Sequence, residues 1–134
     1  MLAPLLIGAA PPRVEIQNLA QPGSFEIQAA GGAVSLAAEA HVEKQTPGGW
    51  VTVATNFLLL EKCPDGDPPR CVDLAPGARL HPVRWTGFSC SGQCNQQCKK
   101  NVYEGPGSFR LIVFRCDRAE RFQSAPFQLP ATPP

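Results

Sequence analysis

This chain of 134 residues has almost no net charge, few histidines and few long hydrophobic runs. Charged residues form 17% of it, and twelve basic against eleven acidic side chains leave a formal charge of +1. A chain without a strong positive field does not gather polyanions, which argues against nucleic acid as a partner. The apolar stretch at residues 1–10 is too short to span a bilayer, so the sequence predicts no transmembrane segment.

Groups that carry out acid–base or nucleophilic chemistry are equally few. The only two histidines, His41 and His81, lie in predicted strands, where a surface position is more common than a catalytic one. Residues 89–92 (SCSG) lack the Gly-x-Ser-x-Gly elbow, and the carboxylates form no pair typical of glycoside hydrolysis. The short glycine pairs are read as turns and not as phosphate loops. We therefore predict a protein that is not an enzyme and uses no cofactor.

Proline and glycine are abundant, with fifteen and twelve residues respectively. They show no repeat period and would interrupt long helices, so they favour short strands joined by turns. The clearest alternation is at residues 34–42, where every second residue from Val34 onward is apolar and shares one face. A turn at residues 46–49 and a β-branched strand at residues 50–56 complete a predicted hairpin. Residues 108–116 form the strongest predicted strand.

The whole chain is predicted to form one folded domain. Residues 1–12 form an apolar head that ends in two prolines. It has the small-residue look of a signal-peptide core but no basic n-region, so the alternatives are an intact leader, a leader remnant and an apolar tail. Residues 13–129 form the domain, and residues 130–134 form a proline-rich tail. About seven short strands with regular turn signals predict an all-β fold, an antiparallel sandwich with a cysteine-rich loop or short helix inserted.

Six cysteines, an even number, predict up to three disulfides and an oxidising compartment. The pairing Cys63–Cys71 is favoured because it closes a short loop stiffened by prolines, which stabilises by roughly 2–3 kcal/mol in the loop-entropy model. Cys90, Cys94 and Cys98 are spaced by four, as along one side of a helix, and one of them is a candidate partner for Cys116. The connectivity stays open, since six cysteines allow fifteen pairings.

Metal binding is the other interpretation of the cysteines. Cys90, Cys94 and Cys98, with a fourth ligand from Cys116, His81 or His41, would suit a tetrahedral zinc site. The paired Cys-x2-Cys knuckles of common zinc sites are missing, so disulfides are favoured over metal or redox thiols. A cysteine-based metal or redox protein stays the third functional alternative.

Two regions resemble a known family. Residues 106–113 (PGSFRLIV), followed by a turn and residues 124–127 (SAPF), are similar to the last hairpin of immunoglobulin-like and fibronectin type III-like domains in bacterial secreted proteins. Residues 42–44 with 50–53 resemble the central hairpin of these domains. The antibody pattern of two cysteines flanking a core tryptophan is absent. The resemblance implies a sandwich fold and an extracytoplasmic location, but it implies no functional residue.

The predicted function is that of a non-catalytic binding or structural module that presents disulfide-rigidified loops to a protein partner. The loops at residues 64–70 and 89–101 are the candidate surface, because both are polar and expected to be cross-linked, and neither is needed to complete a sandwich. Trp50 and Trp85 are expected to pack in the core or at an edge. The candidate contact residues are Asp65, Asp67, Arg70, Gln93, Asn95, Lys99 and Lys100.

A secreted proteinase inhibitor is the alternative function. A protruding loop closed by Cys63–Cys71 and containing Pro68, Pro69 and Arg70 would enter a protease cleft with little conformational entropy left to lose. Replacing Arg70 with alanine would then abolish inhibition of a trypsin-like protease. For a binding module, the same substitution would change nothing in that assay.

Overall fold

The structure is a computed structural model that describes residues 12–60, 70–90 and 101–134. These residues form ten strands and no helix, so the predicted all-β class is confirmed. No helix among them is long and apolar enough to cross a membrane. The strands are β1 (Arg13–Asn18), β2 (Ser24–Ala30), β3 (Val34–Ala37), β4 (Glu39–Thr46), β5 (Gly49–Leu58), β6 (Cys71–Leu74), β7 (Arg79–Arg84), β8 (Gly107–Phe114), β9 (Arg121–Gln123) and β10 (Phe127–Leu129).

Two antiparallel sheets form the sandwich. One has the strand order β1-β2-β7, and the other has the order β10-β8-β4-β5 with β9 also beside β8. Their facing side chains form one buried cluster, in which Phe25 of β2 meets Phe127 of β10 edge-on at 5.2 Å between ring centroids. Trp85, just after β7, packs against Phe109 of β8 at 5.4 Å. Burial of these large apolar side chains is the main favourable term in folding.

The alternating segment at residues 34–42 is divided between two sheets, which the sequence did not predict. The chain bends at Ala38; β3 before it pairs with β6 in a small two-stranded sheet, and β4 after it pairs with β5 and β8. The alternation itself is correct, since Val34, Leu36, Ala38, Ala40 and Val42 are all buried. Alternation reports which side chains face a core; it does not report which strand is the partner. The predicted hairpin is confirmed as β4 and β5.

The disulfide in the described residues joins Cys71, the first residue of β6, to Cys116, two residues after β8. The favoured pairing Cys63–Cys71 is therefore wrong, and so is a bridge from Cys116 to Cys90, Cys94 or Cys98. Strand β3 is the physical reason, because it lies beside both partners. Ala37 of β3 is opposite Cys71, and the amide of Cys116 donates to the carbonyl of Ser35 at 2.8 Å.

Cys90 is also disulfide-bonded. Cys63, Cys94 and Cys98 lie outside the described residues, as does the short helix expected around them. Because Cys71 is bonded to Cys116, the first loop has no Cys63–Cys71 closure, and the inhibitor alternative loses the covalent constraint on which it relied.

Candidate functional site

The segments on both sides of the first candidate loop are hydrogen-bonded to one residue, Ala38. The amide of Leu59, one residue after β5, donates to the carbonyl of Ala38 at 2.9 Å. The amide of Ala38 in turn donates to the carbonyl of Arg70, one residue before β6, also at 2.9 Å. The bend between β3 and β4 therefore satisfies the backbone at both ends of the loop, so the base of the loop is held by the sandwich itself.

The second candidate loop is closed at its base by a short antiparallel contact. Phe88 and Tyr103 form an isolated bridge, and their rings lie 5.6 Å apart. Ser89 and Val102 exchange two hydrogen bonds: the Ser89 amide donates to the Val102 carbonyl at 2.8 Å, and the Val102 amide donates to the Ser89 hydroxyl at 3.0 Å. These contacts fix the direction in which the chain leaves and re-enters the sandwich.

The base of the second loop is attached to the core through Trp85. This side chain is buried, as expected for the tryptophan, and its indole N–H donates to the carbonyl of Phe88 at 2.9 Å. Gly87 lies between them; its φ is +96°, and a Cβ there would lie 2.6 Å from a ring carbon of Tyr103. Only glycine fits that position without moving the ring.

A pocket of about 300 Å³ lies between the two loop bases. Leu60, the last described residue before the first loop, lines it together with Cys90 and Asn101, which border the second loop. Both candidate loops therefore leave the sandwich at one end, around one concave surface. Its other lining residues are Phe57, Leu58, Leu59, Val83, Arg84, Thr86 and Phe88.

Of the predicted contact residues, Arg70 lies in the described chain, and its side chain is exposed. The others, Asp65, Asp67, Gln93, Asn95, Lys99 and Lys100, lie outside the described residues. The structure adds Arg84 and Thr86, which are exposed at the end of β7 and line the pocket. Sequence reasoning missed them because an exposed polar residue at a strand end carries no signal until its neighbours are known.

The candidate zinc ligands that lie within the described residues are engaged in other contacts. Cys116 is bonded to Cys71, and Cys90 is in a disulfide, so neither offers a free thiolate. The ring of His41 packs edge-on against Phe114 at 4.8 Å, while His81 Nδ1 lies 3.4 Å from a carboxylate oxygen of Glu26. Across the described ranges, no three His, Cys, Asp or Glu side chains are grouped so as to hold a metal ion.

Burial lowers the pKa of His41 below its ordinary value, and the positive charge of Arg118 lowers it further. The carboxylates of Glu39 and Glu43 act in the opposite direction but do not reverse the shift. The neutral imidazole is therefore favoured in the folded protein.

Comparison of the chain with protein-family models, with curated proteins and with solved structures finds no match.

Proposed function

We propose that this chain is an extracytoplasmic, non-catalytic binding module and that the loop-bearing end of its sandwich contacts a protein partner. The loop-bearing end comprises residues 57–60, 83–90 and 101–103, with the two loops that leave from it. The observation that carries the proposal is the convergence of both loop bases on one pocket, which Leu60, Cys90 and Asn101 line together. Loops presented by a rigid sandwich are a common site of recognition.

The order of the strands supports an immunoglobulin-like assignment. With β3, β6 and β9 left out, β1-β2-β7 corresponds to A-B-E and β10-β8-β4-β5 corresponds to G-F-C-C′ of immunoglobulin domains. The small β3–β6 sheet and the Cys71–Cys116 bridge depart from that pattern, in which the conserved bridge joins strands B and F. This fold hosts many activities, so the assignment supports the architecture of the module and leaves its partner open.

An extracytoplasmic location is supported by the bonded state of Cys71, Cys90 and Cys116. Disulfides persist in oxidising compartments and are rare in the cytosol of most organisms. A cross-link near the loop bases also serves recognition, because a surface that is already ordered loses less conformational entropy on binding.

The chemistry of the loop-bearing end fits a protein surface. Leu58 and Leu60 are half-buried at the pocket and provide apolar contact area, while Arg84 and Asn101 at its margin are exposed. Apolar centres with polar margins, often including arginine, are characteristic of protein interfaces. Arg84 also gives the margin a positive charge, which favours a partner with a carboxylate at the matching position.

The test compares two exposed arginines of the same strand, Arg84 at the loop-bearing end of β7 and Arg79 at its other end. The immobilised full chain captures proteins from the extracellular fraction of its native host, and retained proteins are quantified for the wild type, Arg84→Ala and Arg79→Ala. We expect a partner whose retention falls roughly tenfold with Arg84→Ala, equivalent to about 1.4 kcal/mol, and is unchanged with Arg79→Ala. Retention that depends on Arg79 and not on Arg84 would contradict the proposal.

An assay against a protease distinguishes the inhibitor alternative from the binding module. The wild type and Arg70→Ala are each assayed against trypsin, because Arg70 is exposed next to the first loop. We expect no inhibition by either. Inhibition by the wild type that is lost in Arg70→Ala would favour the inhibitor over the binding module.

A further inference from the structure

Three sheet edges of the sandwich carry features that discourage pairing with another chain. Strand β7 contains Pro82, which has no N–H to donate, and the charged residues Arg79 and Arg84. Strand β10 has three residues and lies between Pro126 and Pro130. Strand β1 carries exposed charged side chains at its start. Prolines, charges and short length are the usual means by which proteins prevent association at sheet edges.

Strand β5, the fourth edge, has no proline, no charge and no shortening; its register against β4 is regular at residues 49–52 and shifts beyond them. It runs for ten residues, Gly49–Leu58, without a charged residue or a proline. Within the part of the chain that the structure describes, no strand pairs with its outer edge. Val51 is 45% exposed, and with Val102 it is one of two exposed large hydrophobic residues in that part. A long, uncharged edge of this kind is competent to pair with another strand.

We propose that β5 pairs antiparallel with β5 of a second copy of this chain across a two-fold axis. In such an isologous contact the same segment is used on both sides, residue i facing j and j facing i, so a strand with several charges of one sign would bring like charges together. The uncharged sequence of β5 avoids that repulsion entirely. Its exposed β-branched residues Val51, Thr52 and Thr55 are also well suited to cross-strand pairing.

The charges on the neighbouring strand β4 are already engaged and do not oppose this contact. Glu43, opposite Thr52, accepts a hydrogen bond from Arg110 Nε at 2.7 Å. Lys44, opposite Val51, donates to the carbonyl of Glu104 at 2.6 Å. Strand β5 itself adds no charge to the edge, which suits a second copy better than a strongly charged partner.

The side chain of Trp50, near the start of β5, is already held in place before a second copy binds. The guanidinium of Arg110 lies over its ring at 4.3 Å, and Arg110 is itself held by Glu43. Little side-chain freedom is then lost at this position when two edges meet. A contact made by one strand from each copy is small, below about 1,200 Å², so we expect reversible, concentration-dependent dimers. The inference uses the β5 edge and does not depend on the proposed function of the loop-bearing end.

Sedimentation velocity of the full chain over a wide concentration range tests the proposal. We expect the weight-average sedimentation coefficient of the wild type to rise with concentration toward that of a dimer. Val51→Lys places two lysines at the shared edge and is expected to keep the chain monomeric. Val102→Lys is the matched control, because it makes the same change at the other exposed hydrophobic residue, and it should dimerise like the wild type.

Hydrogen exchange of the wild type at low and high concentration gives a second measurement that requires no variant to fold. Amides of β5 should become more protected at high concentration, while those of β1 and β7 should not change. A wild type that stays monomeric throughout, a dimer that survives Val51→Lys in a folded variant, or protection gained at another edge would overturn the proposal.

Discussion

The outer faces of the two main sheets each hold a glutamate beside two basic side chains, but the two clusters differ in burial. On the three-stranded sheet, Glu26 lies 3.3 Å from Arg79 and 3.4 Å from His81, and these partners are 57% and 52% exposed. On the five-stranded sheet, Glu43 is held at 2.7 Å by Arg110, which is only 18% exposed. Solvent screens the first cluster far more than the second.

Apolar and aromatic side chains beneath the second cluster explain the difference. Ile112 points away from the core, between the core residues Leu111 and Val113, yet it is only 1% exposed. Around it, His41 packs against Phe114, and Arg118 lies over the same ring at 4.7 Å. The outer face of the five-stranded sheet therefore has a thin second layer, whereas residues such as Glu15, Gln17 and Gln28 give the other sheet an ordinary polar face. The contribution of a charge pair to stability therefore depends on the side chains that lie beneath it.

Removing Ile112 should have the largest effect on this comparison. We expect Ile112→Ala to lower the free energy of unfolding by about 2–4 kcal/mol, because it leaves a cavity in a buried layer. Gln28→Ala, on the outer face of the three-stranded sheet, should change it by less than about 0.5 kcal/mol. Urea denaturation measures both, and equal small losses would show that the outer layer does not stabilise the fold.

Neutralising the two glutamates should have the next largest effect. Glu43→Gln keeps an acceptor oxygen but removes the negative charge that pairs with a partly buried guanidinium, and it should cost about 1–3 kcal/mol. Glu26→Gln should cost less than about 1 kcal/mol, because its partners are exposed. The two variants carry the same chemical change, so the difference between their urea midpoints measures the effect of burial directly. Similar midpoints would contradict the distinction between the two faces.

The pH dependence contributed by His41 should be the smallest effect. Its folded pKa lies below the ordinary value of 6.5, so the unfolded chain binds the proton first as the pH falls. The stability that His41 contributes as a neutral side chain is complete above that value and decreases as the pH falls through it. We expect His41→Gln to show a flatter stability profile between about pH 7.5 and 5.5 than the wild type.

The matched control for this measurement is His81→Gln on the exposed cluster. It retains His41 and its surroundings, so it should keep the part of the slope that His41 causes. A profile unchanged in His41→Gln but flattened in His81→Gln would reverse the assignment.

Most of the fold could be predicted from the sequence, because local patterns indicate which side chains are buried. The alternation beginning at Val34 identified buried residues correctly, and the turn at residues 46–49 marked the β4–β5 hairpin. Pairing between distant strands leaves no such local mark. The bend at Ala38 and the neighbouring position of β3 and β6 arise from tertiary packing, and for that reason the Cys71–Cys116 bridge was not predicted.

Only the outline of the candidate site could be predicted from the sequence. Polarity, proline content and cysteine positions indicated two loops, but their common origin depends on backbone hydrogen bonds at Ala38 and at Ser89. Backbone groups carry no sequence identity, so no residue type marks these contacts in advance. The contributions of Arg84 and Thr86 follow from where β7 ends, which the sequence leaves imprecise by a few residues.

The bridge between Cys71 and Cys116 joins residues that are 45 positions apart in the chain. Any single peptide bond cut between them, including one in residues 91–100, leaves two fragments that remain covalently joined. The nicked protein then keeps β6 attached to the segment that follows β8, and it separates only after reduction. In surroundings rich in proteases, the bridge acts as a retaining link that lets the module tolerate cleavage at one of its own candidate recognition loops.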